Sequence, residues 1–163
     1  MKTIEEIKPI VNGHRQKYSD SCSPSLVEMM LKIEGRVLSE YYILQDEYKN
    51  DNVGLSVFNG REIEGLRFHQ FIPSDNETFA QRIIKQWALG RLFAVYTQGP
   101  NGKYHGWIVA DIKDDQIFLL SKYSERGNGE GHQTAESTLR ISEAIPPKIT
   151  DLLFYTRPSD LQE

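Results

Sequence analysis

Apolar residues recur in two rhythms along the chain, and the change of rhythm separates a helical first part from a stranded second part. In SPSLVEMMLKIEG, Leu26, Met29, Met30 and Ile33 follow an i, i+3, i+4, i+7 stripe, which predicts a helix. Pro24 suits its first turn and Gly35 the position just past its end, so the start lies at Ser21 to Ser23. A shorter helix is expected from Ser39 to Tyr48, where Tyr42, Ile43 and Leu44 interleave with acids, and the segment from Asn50 to Arg67 reads as strand and turn. A stronger helix is expected within PSDNETFAQRIIKQWALG: Phe79, Ile83 and Trp87 make one face, Ser74 and Glu77 have capping-box spacing, and Gly90 closes it.

After Gly90 the period shortens. RLFAVYT, YHGWIVADI and QIFLLSKY read as strands joined by the turn-rich QGPNGK and the tight turn KDD, which makes an antiparallel meander. KITDLLFYT, from Lys148 to Thr156, adds one more strand, and the polar run from Ser124 to Ser137 reads as a long surface loop. Helices followed by a mostly antiparallel sheet predict an α+β fold, a single domain over residues 1–163.

Composition removes several classes of function. The chain has 163 residues, 39% hydrophobic and 26% charged, the profile of an ordinary globular domain with room for a core. One cysteine cannot form an internal disulfide or build a cysteine-rich metal centre. With 19 Lys plus Arg against 23 Asp plus Glu, the net charge of -4 creates no overall attraction for nucleic acid or anionic lipid. Charges at Lys2, Glu5, Glu6 and Lys8 break up the amino terminus, and no stretch approaches the roughly 20 apolar residues of a membrane span. The expectation is a protein of the cytoplasm, or one secreted without a cleaved signal peptide, with no nucleic-acid partner, no membrane insertion and no cofactor. His14, His69 and His132 have no metal-pair spacing with one another or with Cys22, and Gly127, Gly129 and Gly131 lack the Lys-Ser or Lys-Thr of a phosphate loop.

The remaining chemistry centres on Cys22. It stands at the expected start of the first helix, in a polar turn with Asp20, Ser21 and Ser23, where free backbone N–H groups and the helix dipole favour a thiolate. A cysteine nucleophile attacking an amide needs a general base and an oxyanion donor. His105, near the start of an expected strand, is the candidate base, and Gln16, six residues before Cys22, can turn its side-chain amide towards the same spot as the Cys22 N–H.

Gln16, five intervening residues, Cys22, Ser23, Pro24, a Leu/Met-rich helix and then a His opening a strand resemble the papain-like cysteine peptidases, most closely the bacterial branch of double-glycine leader peptidases that process bacteriocin precursors. The resemblance spans roughly Gln16 to Tyr123. It implies a papain-like arrangement of helices on a sheet, Cys22 as nucleophile, His105 as general base, Gln16 as oxyanion donor, and a peptide or protein substrate. Two positions depart from the family pattern: Ser23 replaces the glycine after the nucleophile, and Ser121 stands where an Asp or Asn would orient the histidine. A turn at Lys113 to Asp115 brings residues 121–125 alongside His105, so Ser121, Ser124 and Glu125 are all candidates for that third role. Three readings follow: a cysteine peptidase or related thiol amidohydrolase, a weakened papain-like domain that binds peptides, and a toxin-like deamidase or transferase on the same fold.

Overall fold

The computed structural model describes residues 2–18, 20–49, 51–99, 101–123 and 133–158, with the side chains of residues 123 and 133 left aside. Its first element, helix α1 (Ile4–Gly13), is one the sequence pattern did not reveal. A capping box starts it: the Glu6 N–H donates to Thr3 Oγ1 over 3.3 Å, and Glu6 Oε1 accepts from the Thr3 N–H over 3.0 Å. Pro9 forfeits one internal backbone bond, and only Ile7 and Val11 are buried, so the apolar stripe is thin.

Helix α2 (Cys22–Ile33) begins where the stripe, Pro24 and Gly35 place it, and every residue from Ser23 to Ile33 is buried. Helix α3 (Ile43–Glu47) is shorter than the expected span because its first turn is held from outside: Glu28 Oε2 accepts the Leu44 and Gln45 backbone N–H groups over 2.9 and 3.1 Å. Helix α4 (Phe79–Ala88) is capped by Thr78 paired with Gln81, not by Ser74. Ser74 and Glu77 instead exchange backbone hydrogen bonds of 2.9 and 3.3 Å in a tight turn just before it.

Among the described residues the strands are β1 (Glu62–Ile63), β2 (Leu66–Phe71), β3 (Ala94–Gln98), β4 (Tyr104–Lys113), β5 (Gln116–Tyr123), β6 (Gln133–Arg140) and β7 (Ile149–Thr156). They form one antiparallel sheet in the order β1-β2-β7-β3-β4-β5-β6, so the expected meander holds from β3 to β6 while β7 inserts between β2 and β3. Asp114 and Asp115, with φ of 51° and 68°, close a two-residue turn between the paired Lys113 and Gln116, as a tight hairpin requires. Residues 133–137 belong to β6 and pair with β5, which corrects the expectation of a loop through Ser137; the rest of that segment lies outside the described residues. Its polar sequence fits an edge strand, which has no sheet neighbour on one side.

Both faces of the sheet are covered, giving an α+β architecture of three layers. On one side Ile7, Val11, Leu26 and Met30 pack with Ile108, Ala110, Leu153 and Tyr155. On the other, Phe79 and Ile83 pack with Val95, Val109, Ile117 and Leu152. Among the described residues, no helix is long and apolar enough to cross a membrane.

Candidate functional site

Cys22 opens α2 against the middle of the sheet, and the residue facing it there is Gly106 of β4. A Cβ built on Gly106 would lie 3.1 Å from Cys22 Sγ, 3.1 Å from Tyr96 Cζ and 2.6 Å from Leu26 Cδ1, so only glycine lets the start of α2 approach this closely. Tyr96, directly across from Gly106 on β3, and the backbone of Gly106 are the polar neighbours that favour the charged form of the sulfur. The Tyr96 hydroxyl also lies 2.6 Å from Ser23 Oγ. Burial pushes the Cys22 thiol above its ordinary range and outweighs both, so the thiol and not the thiolate is the resting form at neutral pH.

His105 is on the other face of the sheet. Successive strand residues point to opposite sides, and Gly106 is the one turned towards α2. The His105 ring meets Trp107 edge to face at 4.5 Å, and the Trp107 Nε1–H donates to Thr97 Oγ1 over 2.9 Å, Thr97 being the cross-strand partner of His105. Burial lowers the His105 pKa and favours the neutral ring. The expected Cys22–His105 pair is therefore not brought together: a displacement of one position along β4 sends the imidazole to the far side.

Gln16 and Ser121, the other expected site residues, are both buried. Gln16 is buried and its Nε2–H donates to the Tyr18 carbonyl over 3.0 Å, in the turn that leads into α2. Ser21 tightens the same turn, its hydroxyl lying 2.9 Å from the Tyr18 carbonyl and 2.7 Å from Gln45 Oε1. Ser121 is fully buried and donates to the Gly106 carbonyl over 2.6 Å, so it holds β4 in place and does not orient the His105 ring. Ser124 and Glu125 lie outside the described residues.

No family model, curated protein or solved structure matches the chain. The site is thus read from its own geometry. Gly106, Tyr96 and Asp151 form a row across β4, β3 and β7 on the side of the sheet that faces α2. Thr150 is an extra residue in β7, since Tyr96 pairs with Asp151 and Thr97 with Ile149, and such bulges re-aim side chains next to sites. A cleft of about 320 Å³ opens at the end of this row, bounded by residues 52–55, Tyr96, Tyr104, Thr150 and Asp151. Asp151 Oδ1 accepts the Gln70 Nε2–H over 3.0 Å and the Leu152 N–H over 2.9 Å, and burial pushes the carboxyl above the usual carboxylate range. Sequence reasoning missed Asp151, although an acid in the apolar run KITDLLFYT was a visible signal.

Behind α2 lies a second polar group, which is enclosed. Lys32 Nζ donates to His14 Nδ1 over 2.9 Å and to the Ser39 carbonyl over 2.7 Å, which leaves His14 Nε2–H to donate to Ser25 Oγ over 3.0 Å. Glu28 Oε1 accepts from Gln45 Nε2 over 2.7 Å, while Gln45 Oε1 accepts from the Lys17 N–H and from the Ser21 hydroxyl. Burial, with the adjacent Lys32, pushes His14 down to about 2 and holds its ring neutral. Burial pushes Glu28 up to about 7 against its three N–H donors. Among the described residues, no three His, Cys, Asp or Glu side chains gather as a metal site.

Proposed function

We propose that the chain is a papain-like scaffold that works as a peptide-binding module, taking an extended peptide along the cleft lined by Tyr96, Tyr104 and Asp151. One observation carries this reading: Gly106, with no side chain, faces the thiol, while His105 stands on the opposite face of the sheet. Thiol hydrolysis needs a thiolate, a base in hydrogen-bond reach of it and a donor for the oxyanion. A thiol that burial holds protonated, with His105 on the far face of the sheet, does not receive a proton acceptor from that residue. The cleft is part apolar and part polar, with an exposed tyrosine at its rim, which suits side-chain recognition in an extended peptide.

A degenerate peptide mixture incubated with the protein, with mass spectrometry of both the retained and the released fractions, tests the proposal. Retained peptides should be intact, and Cys22→Ala should retain the same set. Cleaved or deamidated products that vanish in Cys22→Ala would overturn it in favour of a thiol hydrolase or deamidase.

A further inference from the structure

Asp151 is a half-buried carboxylate whose interactions are all with neutral groups. Oδ1 takes two N–H donors, from Gln70 and from Leu152, while Oδ2 has no hydrogen-bond donor among the described residues. No lysine or arginine forms an ion pair with it among the described residues, and none contributes to its electrostatics. Removing a carboxylate from water without a cation costs free energy, and a bound cation recovers it. Tyr96 and Tyr104, both in the wall of the cleft, are aromatic residues of the kind that attract a positive charge.

The walls narrow the choice of cation. Val53 lines the same cleft and provides apolar surface for a methylene stem. A guanidinium binds best when both oxygens of a carboxylate are open to its fork, whereas an ammonium is a point charge that needs one. Oδ1 is already doubly occupied, which leaves one open oxygen. We propose that the Asp151 cleft holds the side-chain ammonium of a lysine residue in the bound peptide. This rests on the peptide-binding reading above and names the feature that is recognised.

The test is an NMR titration of the full chain, following backbone amides, with Nα-acetyl-lysine N-methylamide as probe. Its Nε-acetylated derivative, its norleucine counterpart and the arginine analogue are run beside it. The lysine probe should shift the amides of residues 52–55, 104, 150 and 151, and should bind at least about tenfold more tightly than the two neutral probes. Asp151→Asn, which keeps an oxygen for the Gln70 and Leu152 donors, should weaken the lysine probe by about tenfold or more. Tyr104→Ala removes a side chain 61% exposed and should weaken it about threefold with the fold intact. Equal binding of charged and neutral probes, tighter binding of the arginine analogue, or no shifts in the cleft would overturn the proposal. Retained peptides with no enrichment of lysine would remove the ammonium assignment and keep the binding module; no retained peptide at all would remove both.

Discussion

Two polar clusters flank α2, and they differ in one respect. The cluster behind the helix, His14, Ser25, Glu28, Lys32 and Gln45, is sealed, and its donors and acceptors answer one another inside the protein. The row in front, Gly106, Tyr96 and Asp151, runs out into a cleft and ends on a carboxylate with an oxygen to spare. Closed networks of this kind fix a structure, because leaving any member unpaired costs its full desolvation. An open one has capacity for something the chain does not contain. By this criterion the enclosed His14–Glu28–Lys32 cluster, despite its strongly shifted groups, is scaffold, and the quieter Asp151 is the functional candidate.

The comparison can be broken most forcefully from behind the helix. Glu28→Ala would orphan the Leu44 and Gln45 backbone N–H groups and one N–H of the Gln45 side-chain amide, and should cost about 3–5 kcal/mol in a urea unfolding experiment. A loss under about 1 kcal/mol would mean that water reaches these donors and that the cluster is not closed. A smaller effect is expected at the junction of the two regions. Gly106→Ala places a methyl against Leu26, Cys22 and Tyr96 and should destabilise by about 1–3 kcal/mol through overpacking. A neutral Gly106→Ala would show that α2 does not sit on β4 as described.

The start of α2 was legible because three independent signals, the stripe from Leu26 to Ile33, Pro24 and Gly35, agree within a few residues. The face on which His105 lies was not. Strand β4 is covered on both sides, so YHGWIVADI reads as an almost continuous apolar run with no polar face to set the alternation. Without that, the pattern alone does not decide which of His105 and Gly106 faces α2, since a shift of one residue exchanges them. Helix α1 was hidden by its thin stripe and its internal proline, and β6 by its polar edge-strand sequence. The cap of α4 shows how local motifs compete: Thr78 and Gln81 form the same box as Ser74 and Glu77 would, four residues later, and the apolar face beginning at Phe79 selects the later one.

Because the chain has one cysteine, alkylation reports on Cys22 alone, and it is the most direct test of the claim that His105 does not serve this thiol as a base. Iodoacetamide labelling of the native protein would be followed from about pH 4 to about pH 9, beside His105→Ala. A thiol raised above its ordinary value of 9.0 is protonated throughout most of that range, so labelling should be slow and should climb only at the alkaline end. His105→Ala should leave the curve unchanged. Rapid labelling below about pH 7 that collapses in His105→Ala would mean a thiolate paired with an imidazolium, and would contradict the account.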